Sequence, residues 1–175
     1  MSIYGLDVVE TEEGTTVAST GGDRVLIIWQ QEIPTTFALK SVGVSVHFHP
    51  ENTQQILVCE ETGAIRVLDW ETSSWLVSIY SGPAVTYVDY LCNAVWLTAS
   101  KVAAVSRQGE WRVWDIGHIR GSLNTQPLYS GRIGDRCRRL IPNPDTESQF
   151  IVVGSRTVWL LDLALDGEPT QRRPR

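Results

Sequence analysis

Four short apolar runs in this chain end alike, on Trp or on a Leu-Asp or Trp-Asp pair. They are Val25-Leu26-Ile27-Ile28-Trp29, Ile65-Arg66-Val67-Leu68-Asp69, Trp111-Arg112-Val113-Trp114-Asp115 and Val158-Trp159-Leu160-Leu161-Asp162. The aligned residues Trp29, Leu68, Trp114 and Leu161 stand 39, 46 and 47 residues apart. A period of about 40–45 residues with such endings is that of a four-stranded β-propeller blade. A unit of this size cannot bury its apolar faces alone and must stack on its neighbours. The repeat therefore predicts an all-β fold of about four four-stranded antiparallel blades, before any other feature is weighed.

The turns agree with that period. Gly21-Gly22-Asp23, Glu61-Thr62-Gly63 and Gln108-Gly109 fall between second and third strands, where a tight hairpin needs residues that tolerate positive φ. His49-Pro50 and Pro142-Asn143-Pro144 follow first strands, and proline stops a strand because it cannot donate to the ladder. The blades are expected near 1–40, 41–80, 81–130 and 131–167, with a polar tail at 168–175. The third is expected to open with a strand over Val85–Leu91 and close with one over Gln126–Tyr129; Trp96 then falls in an insertion. The fourth has its last strand in the tail after Glu168. An ordinary ring of this kind has about seven blades, within a range of four to eight. The chain therefore reads as part of a longer propeller or as a shortened gene product.

Composition narrows function by exclusion. A net charge of −5 argues against a general nucleic-acid binder, which carries a basic surface. Three widely spaced cysteines, Cys59, Cys92 and Cys137, give neither a disulfide framework nor zinc spacing, and point to a reducing compartment. Met1-Ser2-Ile3-Tyr4-Gly5 lacks the basic and apolar regions of a secretory leader. The most apolar window, 84–105, carries Asp89, Asn93 and Lys101 and does not read as a membrane span.

With these endings and turns on the page, the chain resembles the WD40 family, in a degenerate form. Lys40-Ser41, Ser81-Gly82 and Ser130-Gly131 stand where the family has Gly-His, and its turn Asp survives only as Asp23, so the His-to-Asp network typical of the family is expected to be mostly missing. The succession Ser41-Val42-Gly43-Val44-Ser45-Val46-His47-Phe48-His49-Pro50, Ile56-Leu57-Val58-Cys59-Glu60-Glu61-Thr62-Gly63-Ala64-Ile65-Arg66-Val67-Leu68-Asp69 and Glu110-Trp111-Arg112-Val113-Trp114-Asp115-Ile116 is similar to WD40 nucleoporins of the Y-shaped nuclear pore scaffold. That resemblance covers residues 3 to 116. It implies a non-catalytic docking module at the nuclear envelope without a cofactor. Its partners are other nucleoporins of the Y-shaped complex, mainly the large propeller-and-helix nucleoporin of the long arm. A WD40 adaptor of a ubiquitin-ligase or chromatin complex, and a propeller enzyme, are the competing readings.

Several constellations invite chemistry and lose it on inspection. His47 and His49 share a strand face but have no third metal ligand in sight. Asp69, Asp115 and Asp162 recur at one repeat position, as structural residues do, whereas a catalytic pair needs two unlike environments. Ser45, Ser106 and Ser155 lack a nucleophile-elbow context, and no glycine loop carries the Lys-Ser/Thr ending of a phosphate loop. What remains is recognition. Trp70 and Trp96 are candidate aromatic anchors, and Arg136, Arg138 and Arg139, next to Arg132, form a basic cluster that reads as a solvated loop or as a contact for a nucleic acid or an acidic partner.

Overall fold

The structure is a computed structural model and describes residues 2–12, 14–80, 90–118, 121–123, 126–163 and 170–172. The described residues contain strands, turns and bends, with no helix. The first sheet runs in chain order through β1 (Ile3–Thr11), β2 (Gly14–Gly21), β3 (Val25–Gln30) and β4 (Ile33–Ala38). The second holds β5 (Gly43–Phe48), β6 (Gln55–Glu60), β7 (Ala64–Asp69) and β8 (Ser74–Tyr80). Next come β9 (Leu91–Trp96), β10 (Lys101–Ser106), β11 (Glu110–Asp115), β12 (Gly121–Leu123) and β13 (Tyr129–Arg132). The third sheet is β9, β10, β11 and β13, while β12 leaves it to pair parallel with the outer strand β8 of the second. The fourth sheet is β14 (Cys137–Pro142), β15 (Gln149–Gly154), β16 (Val158–Asp162) and β17 (Thr170–Arg172). The meander within each sheet is antiparallel throughout, as the repeated strand endings predict.

Two expectations shift. The strand that opens the third sheet is Leu91–Trp96, so Trp96 lies inside a strand rather than in an insertion. Residues 81–89, on which most of the expected strand falls, lie outside the described residues. The run Leu91-Cys92-Asn93-Ala94-Val95-Trp96 has neither clean alternation nor β-branched enrichment, so local pattern does not mark it as a strand. Packing does, because Trp96 is buried among Leu57, Val67 and Val102. The same blade's outer strand is Tyr129–Arg132, three residues after the expected start. Neither change alters the succession of blades.

The core lies in the seams between consecutive blades. Ala18, Leu26 and Ile28 of the first meet Val46, Phe48 and Leu68 of the second. Leu57, Ile65 and Val67 of the second meet Ala94, Trp96 and Trp114 of the third. Val95, Trp111 and Val113 of the third meet Leu140, Phe150 and Leu161 of the fourth, with the Trp111 and Phe150 rings edge to face at 6.0 Å. Each fully buried side chain of this size contributes roughly 1.5–3 kcal/mol, so the seams carry most of the stability.

Polar staples set the stacking register along the innermost strands. The Ser45 hydroxyl donates to the Ala94 carbonyl (3.1 Å) and accepts from the Ala94 amide (3.0 Å). One blade later the Leu140 amide donates to Asn93 Oδ1 at 2.8 Å. A ladder irregularity accompanies the first strand of every sheet and brings Gly5, Ser45, Asn93 and Arg139 to corresponding positions. In the first blade the side chain is missing for a steric reason: a Cβ on Gly5 would sit 2.9 Å from Ser45 Cα. There Asp7 takes over and accepts from the Phe48 amide at 2.8 Å.

Candidate docking surfaces

The side chains that looked chemical are occupied structurally. His49 Nδ1 accepts from the amides of Glu51 (3.1 Å) and Asn52 (3.0 Å), which leaves its Nε2–H to donate to the Ala99 carbonyl at 2.8 Å. The His47 ring has its pKa lowered by burial, partly offset by Asp7, whose carboxylate lies 3.9 Å away. Asp69 accepts from the Thr72 amide and Asp115 from the Gly117 amide, so both close the turn after a third strand. Asp162 instead holds Ser148 and Gln149. Burial pushes the Cys59 thiol well up, and the Cys92 and Cys137 thiols up to about 12, so all three stay protonated and poorly nucleophilic.

Of the aromatic candidates, Trp70 is half-buried, packs against the core of the first seam and donates from Nε1 to the Thr53 carbonyl at 2.9 Å. Trp96 is 7% exposed, meets the His49 ring edge to face at 4.6 Å and donates to the His47 carbonyl. Both lie toward the ends of the blades opposite the turn that carries Arg136. Arg136, Arg138 and Arg139 are all exposed, the first at the mouth of the seam between the third and fourth blades and the other two on β14. The structure thus brings Arg136 together with Arg132 at that mouth, leaves Arg138 and Arg139 on the adjoining strand, and sets the tryptophans apart from them.

Two larger surface features remain. The first is the pair of end faces of the blade row. Repeat positions buried in the second blade are open in the first: Leu6 is 59%, Val8 49% and Trp29 40% exposed, against 1%, 8% and 0% for their counterparts Val46, Phe48 and Leu68. At the other end Ile141 and Val158 are exposed, with Ile151, Val153 and Leu160 half-buried beside them. Contiguous apolar faces of this kind mark interaction surfaces. The 175-residue chain alone is accordingly expected to scatter light as oligomers or aggregates. Trp29→Glu combined with Val158→Glu should shift it toward the 19.5 kDa monomer. A monodisperse monomer of the unaltered chain at micromolar concentration would show that these faces do not associate.

The second feature is polar and lies at the mouth of the last seam. The preceding seam, between the second and third blades, is closed there by Arg107, whose guanidinium donates to Glu61 at 2.8 Å. The seam between the third and fourth has no such pair among the described residues and opens as a cleft of about 1050 Å³ lined by Gln108, Arg132, Asp135, Arg136, Arg156 and Trp159, among others. Asp135 builds its floor. Its carboxylate accepts from the amides of Arg136 (2.7 Å), Arg156 (2.8 Å) and Thr157 (3.0 Å) and from the Thr157 hydroxyl, and these bonds, that of Arg156 first, lower its pKa. Asp135 precedes the first strand of its blade and binds the hairpin between the second and third strands. Ser41 does the same in the second blade, bonding the Thr62 hydroxyl at 2.8 Å. Short side chains therefore do here what the His-to-Asp network does in WD40 proteins. Gly109, at φ 90°, lets the third blade's turn approach closely, since a Cβ there would lie 2.5 Å from the carbonyl oxygens of Ile133 and Asp135.

No family model matches the chain. It is 34% identical over 134 residues to nucleoporin Nup37 of Homo sapiens, a match covering 74% of this chain and 39% of that protein. Against a WD repeat-containing protein of Schizosaccharomyces pombe the figures are 31% over 160 residues, 77% and 40%. Against nucleoporin Nup37 of Drosophila melanogaster they are 24% over 154 residues, 85% and 45%. The chain thus spans about two fifths of the length of these relatives. Sequence similarity to WD-repeat proteins and four consecutive four-stranded blades lead to one conclusion: this chain belongs to the WD40-repeat β-propellers and is similar to the nucleoporin Nup37 proteins.

Proposed function

We propose that the chain acts as a non-catalytic docking subunit of the nuclear pore scaffold, seated in its Y-shaped complex and supporting transport and pore assembly. The observation that carries this reading is the similarity to Nup37 proteins over three quarters of the chain. The open face of the first blade supports it, because a surface whose counterparts in the second blade are buried is built to be covered. The partner is the large nucleoporin of the long arm, and the location is the nuclear envelope. Recognition rests on rigid presentation of loops and blade faces, with a few aromatic or Arg anchors supplying most of the energy. His49, Ser45, Asp69 and Asp115 are committed to turns and staples.

Affinity purification of the tagged chain from an extract of its own cells, with identification of the bound proteins, tests the proposal. Nucleoporins of the Y-shaped complex are expected. Recovery of ubiquitin-ligase or chromatin subunits without nucleoporins would overturn it in favour of an adaptor role elsewhere.

A further inference from the structure

We infer that the cleft between the third and fourth blades is a binding site for an acidic peptide segment of a partner protein. The inference rests on the docking reading only in taking the ligand to be a protein.

The argument begins with charge. The chain is acidic overall, at −5, yet Arg132, Arg136 and Arg156 converge on one cleft, with Arg138 and Arg139 on the adjoining strand. At the neighbouring seam the rim guanidinium of Arg107 is paired with Glu61. Among the described residues the rim cations here meet no carboxylate. Arg132 donates to the neutral Gln108 side chain at 3.1 Å, and the carboxylate of Asp135 is filled by backbone amides and Thr157. The guanidinium groups of Arg136 and Arg156 stand exposed beside it. Guanidinium groups bind carboxylates through two parallel N–H···O bonds, in the geometry that makes Arg the preferred residue for such contacts.

The cleft also has an apolar side. Trp159 is half-buried, with its ring held by a 2.7 Å bond from Nε1 to the Thr157 hydroxyl, and Ile133 lies beneath. An extended segment with carboxylates toward the arginines and an aliphatic side chain against Trp159 fits both sides. A nucleic acid fits less well. Trp159 is the only aromatic ring lining the cleft among the described residues, where a single-strand platform stacks several bases.

The test is a fluorescence-anisotropy titration of the purified 175-residue chain into a fluorescein-labelled peptide of sequence EELEDEEL at physiological salt. Saturable binding is expected. The double variant Arg136→Glu/Arg156→Glu should weaken it by about tenfold or more, since one charge-assisted pair is worth at least that factor. Arg24→Glu, in the exposed turn of the first blade, makes the same kind of charge change far from the cleft and should leave affinity within about twofold. Three results would overturn the proposal: no saturation, equal weakening by Arg24→Glu, or tighter binding of an oligouridine than of the peptide. Near-ultraviolet circular dichroism of each variant confirms that its tryptophans keep their packing. The titration reads the cleft of the purified chain alone, so its failure leaves the partner search in cell extract standing, and the reverse holds as well.

Discussion

Replacing Trp114 by Ala should lower stability by about 3–5 kcal/mol, the range for deleting a buried aromatic side chain. Trp114 is 2% exposed and sits in the seam between the second and third blades, among Leu57, Val67, Val77 and Val102. Truncation leaves a cavity that two rigid sheets cannot close, because each is fixed by its own ladder and by the staple between Ser45 and Ala94. Trp29 supplies the control. It occupies the same repeat position in the first blade but is 40% exposed on the open end face, and Trp29→Ala should cost about 1 kcal/mol or less. Urea unfolding of both variants, in a background that unfolds reversibly, measures the difference. Equal losses would mean that burial in the seam is not what gives the repeated Trp its value.

Glu60→Ala should be comparably damaging, at about 3–5 kcal/mol, for a different reason. Glu60 is fully buried in β6 and forms an ion pair with Arg66 of β7, itself 5% exposed. The other carboxylate oxygen accepts from the Ser41 amide at 2.6 Å, which ties the entry of the second blade to its sheet. The Arg66 guanidinium lies over the Trp75 ring, 3.8 Å from its centroid. Loss of the carboxylate leaves a buried cation without its counter-charge and an amide without its acceptor. The double variant Glu60→Leu/Arg66→Leu should recover part of the loss, since apolar residues of similar volume replace buried ion pairs at little net cost. A double-mutant cycle by urea denaturation reads the coupling. Additive losses, with no recovery in the double variant, would show that the pair does not act as a unit.

The repeat made the blades legible from local chemistry alone. Strand endings every 39 to 47 residues, glycine-bearing hairpin turns and strand-stopping prolines each act within a few residues of themselves, and together they define four units. The positive φ values of Gly63 and Gly109 fall in the turns where the hairpin argument puts them. The same reasoning missed the strand that opens the third sheet. The run at 91–96 carries little strand signal of its own, and the fit of Trp96 into the seam, with its bond to the His47 carbonyl, makes it that strand. The parallel addition of β12 to β8 had no local signal, because it pairs a connecting segment with a strand of another blade. Asp135 escaped notice because the sequence offers it as an ordinary loop carboxylate, while its four hydrogen bonds run to residue 136 and to a hairpin about twenty residues away.

The candidate surfaces divide in the same way. The arginine cluster was visible in the sequence because Arg132, Arg136, Arg138 and Arg139 are close along the chain. That Arg156 joins them over a cleft, and that the Asp135 carboxylate is already spent, are consequences of two blades meeting. The sequence by itself determined the all-β blades and their number, because strand period and turn chemistry are local properties. Only the tertiary structure decided which apolar faces are covered and which are left open, and which charges find partners, because burial and pairing depend on what the neighbouring blade presents. Leu6 and Val46 read alike in the sequence, and only stacking makes one an exposed face and the other core.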